Sequence, residues 1–187
     1  MSRLVPVDAK GLDWPRKVAN AINYLLKWVT DRGEATGWAV YNHGGGAQAI
    51  AANTRTKLTI DGASKIESQL ASDTGPLWDT ATNKITGRNG DAINIKIQFV
   101  FTPTNSSATE IDIEVDIGGS IGVVEYDTRA LTRGAGNPHN ITLAFPAYTL
   151  DTWEANGGEI YVEVDGPGSV TALRIVIVRV HKARSNA

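Results

Sequence analysis

Apolar and polar residues alternate through the second half of this chain. The clearest runs are Ile93, Ile95, Ile97, Phe99, Phe101; Ile111, Ile113, Val115, Ile117; and Ile160, Val162, Val164. Side chains on a strand point to opposite faces at period two, so each run makes one apolar face and one wet face. Gly, Asn, Asp and Pro separate the runs. The pattern predicts strands at 47–52, 57–60, 84–86, 91–102, 109–117, 122–127, 139–145, 158–165 and 171–182. Asn89-Gly90 is a two-residue hairpin signal, and Asp165-Gly166-Pro167-Gly168 turns the chain into the last strand. Many short strands with turn signals between them predict a mainly β fold, an antiparallel sandwich or barrel.

The closing strand differs from the rest. Leu173, Ile175 and Ile177 occupy one face, and Val176, Val178 and Val180 the other, below Arg174. A strand apolar on both faces is covered on both sides. One face goes to the sandwich core, so the other needs a second cover, either the N-terminal helix or a neighbouring subunit. The subunit is the favoured cover.

One helix is expected near the start. Asp13 suits the N-cap and Pro15 the first turn, where its missing N–H costs nothing. The helix should run from about Trp14 to Thr30, ended by Gly33 and Gly37. Val18, Ile22, Leu25 and Val29 follow a four-three-four spacing, widened by Ala21, Leu26 and Trp28. Such a stripe must be buried, and a helix of roughly 25 Å is marginal alone. Packing on the β domain, self-association in a bundle and docking into a partner all satisfy it. Residues 33–46, with Trp38 to Tyr41 inside them, read as a linker. The expected division is an N-terminal anchor segment, 1–37, and a β domain, 38–187.

Composition narrows the function classes. The 187 residues contain no cysteine, which removes disulfides and thiolate metal sites. Formal net charge is -2 with both signs well mixed. No basic stripe grips phosphates, so no nucleic-acid partner is expected. No apolar run is long enough to insert in a membrane. The first residues, Met1 to Pro6, lack the apolar core of a secretory signal, so synthesis in the cytoplasm without Sec export is expected.

Candidate chemistry is sparse. His43-Gly44-Gly45-Gly46 imitates the oxyanion loop of lipases, and Gly118-Gly119-Ser120-Ile121-Gly122 fits G-x-S-x-G. Asp127, Asp151 or Asp165 and then His181 would complete the order. A nucleophile elbow, however, joins a parallel strand to a helix, and Ser120 lies between two strand patterns. Asp112, Glu114 and Asp116 share a strand face, but their spacing is not that of a loop wrapping calcium. His43, His139 and His181 are isolated, so no metal site and no cofactor are expected. No P-loop or G-x-G-x-x-G occurs. Asn105-Ser106-Ser107 and Asn140-Ile141-Thr142 match glycosylation sequons, which are idle without secretion.

Three stretches carry a resemblance. They are Leu58-Thr59-Ile60-Asp61-Gly62-Ala63-Ser64-Lys65-Ile66, Leu77-Trp78-Asp79-Thr80-Ala81-Thr82-Asn83-Lys84-Ile85 and Asn89-Gly90-Asp91-Ala92. They resemble tailed-bacteriophage virion proteins of the head-fibre, decoration and short tail-fibre kind. The lead Asp13-Trp14-Pro15-Arg16-Lys17-Val18-Ala19-Asn20-Ala21-Ile22-Asn23 is similar to N-terminal segments of phage structural proteins. The resemblance implies an antiparallel jelly-roll sandwich like that of the tumour necrosis factor superfamily, preceded by one N-terminal α-helix and assembled as a homotrimer. It also implies a non-enzymatic protein in the virion, made in the host cytoplasm, with capsid or tail proteins as partners. On this reading Trp14, Val18, Ile22, Leu25 and Trp28 carry the anchoring contacts, and Val176, Val178 and Val180 the trimer contacts. The alternative is a tail or baseplate fibre that binds host-surface glycans, with Trp153 or Tyr148 as its tools. A cellular enzyme or soluble lectin is the remaining class.

Overall fold

Period-two patterning of this kind closes into two stacked antiparallel sheets. The computed structural model describes residues 18–26, 37–68, 70 and 75–181. Helix α1 covers 18–26. The strands are β1 (Gly37–Asn42), β2 (Gln48–Ile50), β3 (Thr56–Lys57), β4 (Ser64–Ser68), β5 (Trp78–Asp79), β6 (Lys84–Ile85), β7 (Asp91–Pro103), β8 (Glu110–Asp116), β9 (Val123–Ala130) and β10 (His139–Thr149). Helix α2 (Asp151–Asn156), β11 (Glu159–Val164) and β12 (Gly168–His181) complete the chain path.

One sheet has the order β10-β7-β12-β1-β4, with β2 added to β12. The other has the order β3-β11-β8-β9, and β5-β6 form a small ribbon. The last strand lies beside the first, and connections pass between the sheets at β7→β8, β9→β10, β10→β11 and β11→β12. That is the path of a jelly roll. The molecule is therefore mainly β, an antiparallel jelly-roll sandwich preceded by one helix. The core lies between the sheets. Ile93, Ile95, Ile97, Phe99 and Phe101 of β7 enter it from one side, and Ile111, Ile113, Val115, Ile160 and Val162 from the other. Truncating a core phenylalanine to alanine costs about 3–5 kcal/mol.

The long strands read from alternation lie where the pattern puts them, but the one expected at 57–60 is only Thr56–Lys57, and shorter elements escaped the pattern. Residues 37–42, inside the expected linker, form β1, which pairs with β12 and β4. Its apolar run is short and glycine-flanked, so only its neighbours make it a strand. β4, β5 and α2 were not expected either. α2 has no side-chain cap, and its buried residue is Trp153. The indole Nε1 donates to the Ile85 carbonyl at 3.1 Å. Gly158 passes so close to the ring that a Cβ there would lie 2.9 Å from Cζ2.

Asn89-Gly90 does form a turn, with Gly90 at φ 86°. It joins no hairpin, because β6 pairs with β5 while β7 pairs with β10 and β12. Turn chemistry reverses the chain, but burial chooses the partner strand. In α1, Ile22, Tyr24, Leu25 and Leu26 are exposed at 49%, 60%, 52% and 59%. The described helix is thus not packed against the sandwich. Trp14 and Trp28 lie outside the described residues.

Candidate functional site

Two outward faces of the sandwich have opposite chemistry. On β1, Ala39 and Tyr41 point into the core, so Trp38 and Val40 point out. On β12, Leu173, Ile175 and Ile177 point in, and Val176, Val178 and Val180 point out. Strand register gathers these outward residues into rows. Trp38 stands opposite Val178, and Val40 lies between Ile66 and Val176. Val40 is buried, whereas Trp38, Val178, Val180 and Ile66 are exposed at 38%, 40%, 53% and 55%. Across β7, Asn94 and Lys96 interrupt the rows, which resume at Pro146, Ala144 and Tyr148 on β10. The three valines expected at an interface are therefore brought together with Trp38 and Ile66. Sequence reasoning missed these two. Ile66 is a lone apolar residue in a polar run, and Trp38 sat in the supposed linker.

The outer face of the second sheet is rich in charge, and its central acids are paired within the chain. Asp112, Glu114 and Asp116 do line one side of β8, as alternation requires. Arg55 donates from Nε to Glu114 and from a terminal nitrogen to Asp116, each at 2.7 Å. Its guanidinium lies 3.6 Å over the Tyr161 ring. The chain's own cation thus occupies the seat that two of these acids offer. Asp112 accepts from the Thr128 hydroxyl. Glu159 meets Lys57 at 2.8 Å and Lys84 at 3.2 Å, and accepts from the Tyr161 hydroxyl. Partial burial pushes the Glu159 carboxyl up, but hydrogen bonds from Lys57, Tyr161 and Lys84 outweigh it and bring it down to about 2.

A second apolar patch lies at the edge of that sheet. Ile121, Val123, Val124 and Tyr126, from the β8–β9 turn and edge strand β9, are exposed at 51%, 43%, 37% and 55%. Nearby, two clefts of about 280 and 210 Å³ share Lys84, Asn156 and Gly157. Among their charged groups, Asp79 is engaged by Ala81 and Thr82, Asp116 by Arg55, and Glu159 by Lys57 and Lys84.

The hydrolase-like fragments fall in separate settings. Ser120 is in the tight turn between antiparallel β8 and β9, where Gly118 and Gly119 sit at φ 65° and 62°. That is a hairpin, not a strand-to-helix elbow. His43 sits in the β1–β2 loop, its Nε2 3.3 Å from the Gly46 carbonyl and its Nδ1 3.6 Å from Asp61. Hydrogen bonds from the Gly44 and Ala63 amides hold the Asp61 carboxyl below the usual range. Asp127 pairs with Arg129, and Asp165 accepts from the Thr109 and Glu110 amides. Asp151 opens α2. Tyr148 is 77% exposed and Trp153 buried, so only the tyrosine is presented to a ligand. Among the described residues no helix is long and apolar enough to cross a membrane.

No protein-family profile and no curated protein matches the sequence. Among solved structures, the chain is similar to Eiger TNF from S. frugiperda at 11% identity and TM-score 0.49, over 82% of this chain and 96% of that one. It is similar to the PRD1 vertex protein P5 at 12% identity and TM-score 0.46, over 80% of this chain and 98% of that one. It is also similar to the CBM22-1 xylan-binding domain of Paenibacillus barcinonensis Xyn10C at 12% identity and TM-score 0.34, over 77% and 94%. At such identities none of these likenesses carries a function across.

Proposed function

We propose that the chain is a non-enzymatic structural protein of a bacteriophage virion, a homotrimer standing on the particle as a decoration or head-fibre protein. The observation that carries the assembly is the exposed apolar patch of Trp38, Ile66, Val178 and Val180, set against ion-paired residues on the opposite sheet. Exposed apolar patches of this kind mark association surfaces. Burying one such side chain contributes roughly 1.5–3 kcal/mol. A threefold contact is heterologous and joins two different patches. The edge patch of Ile121, Val123, Val124 and Tyr126 supplies the second. The virion assignment draws on the phage-like stretches of the sequence.

In this reading residues 1–37 attach the protein to the capsid, through the apolar positions Trp14, Val18, Ile22, Leu25 and Trp28, while the β domain, 38–187, projects outward. A tail or baseplate position with glycan contacts is the second reading, favoured by the exposed ring of Tyr148. Particle stoichiometry separates the two, many copies for decoration and a few trimers for a tail part.

The assembly test is Val178→Asp. The wild-type chain should sediment as a trimer and the variant as a folded monomer with an unchanged circular dichroism spectrum. A wild-type monomer at high concentration would falsify the threefold reading.

A further inference from the structure

We propose that α1 packs against two copies of itself, so that residues 18–26 form a parallel three-stranded helical stem. This rests on the trimer reading above and names what its N-terminal helix meets. Three observations point there. First, Ile22, Leu25 and Leu26 are each about half exposed or more, so the apolar stripe is covered by nothing in the described chain. Second, Val18, Ile22 and Leu25 keep the four-three spacing of a seam between helices, which Val29 continues in the sequence. Third, ten residues separate position 26 from Gly37, where β1 begins, and β1 carries Trp38 on the apolar face. Ten residues reach at most about 35 Å, so three helices tethered to a trimer are held close to one another.

Tethering changes the energetics. A helix this short is marginal as an isolated strand. Joined to a trimeric β domain, its partners are present at an effective concentration on the order of millimolar, whatever the bulk concentration. The β domains set the number of strands. Ile22 at one seam position and Leu25 at the next favour two strands when nothing else sets the number, so the third strand comes from the tether to the β domains. Asn20 and Asn23 fall on the opposite side and face water.

The chain has no cysteine, which makes the test direct. Leu25→Cys is placed in the seam of the full-length protein and Asn23→Cys on the outside, and both are oxidised under mild conditions after sedimentation. The expected result is a trimer in which Leu25→Cys forms disulfide-linked pairs about tenfold faster or more than Asn23→Cys, at a rate independent of protein concentration. Ile22→Cys, one seam position earlier, repeats the measurement should Leu25→Cys disturb assembly. A trimer in which seam and outer cysteines oxidise alike overturns the stem and leaves the trimer standing. A wild-type monomer removes the trimer and the stem together.

Discussion

At the scale of single residues, the second sheet's outer face shows how local pairing substitutes for assembly. Arg55 reaches Glu114 and Asp116 and stacks on Tyr161, so charges that would repel along β8 are held together. Glu159 is the most perturbed carboxylate of the group, brought from 4.5 to about 2. Its folded-state value lies below its unfolded one, so it contributes stability above pH 4.5, and that contribution is lost as pH falls towards 2. Thermal melts between these limits should show the wild type losing more stability than Glu159→Gln. Parallel melting curves for the two proteins would remove Glu159 from the acid response. The acidic run was legible in the sequence. The arginine that neutralises it was not, because Arg55 and Glu114 are distant in the chain and only sheet pairing brings them together.

At the scale of elements, long alternating runs identified themselves and short ones did not. β7, from Asp91 to Pro103, repeats its in-out pattern often enough to leave no alternative. β4 has a single apolar residue, Ile66, and α2 a single buried one, Trp153, so neither has a periodicity to read. The helix near the start was legible in kind, and its stripe is exposed in the described portion. Its separation from the sandwich leads to an expected outcome for truncation. Removing residues 1–32 should leave a β domain with the circular dichroism and melting transition of the sheets, trimeric by sedimentation, yet unable to join particles in a co-sedimentation assay. An unfolded truncated chain would show instead that the helix belongs to the core.

At the scale of the whole molecule, the distribution of surface chemistry bears on how copies would meet in the proposed trimer. One broad face carries paired charges at its centre, and the other an exposed apolar patch bounded by Asn94 and Lys96. An interface built on ion pairs weakens as salt shortens the screening length from about 10 Å at 0.1 M to about 3 Å at 1 M. One built on Trp38, Ile66, Val178 and Val180 does not. Sedimentation at a fixed protein concentration should therefore give the same trimer fraction at low and high sodium chloride. Dissociation by salt would place the contact on the charged sheet. The candidate surface was half visible beforehand, since β12 is apolar on both faces by inspection. Its other half needed β1 and β4 beside β12, a pairing between opposite ends of the chain.

The sequence by itself determined which side of each long strand is apolar, because the backbone fixes the period of two wherever the strand runs. It also set the turns, the acidic face and the helical stripe, all of which are local. Only the tertiary structure decided that the first strand lies against the last, that Arg55 sits on the acids of β8, and that Trp38 and Ile66 join the outward valines of β12 in one exposed apolar patch. Those outcomes follow from which surfaces exclude water together, a condition on residues far apart in the chain that no local pattern encodes.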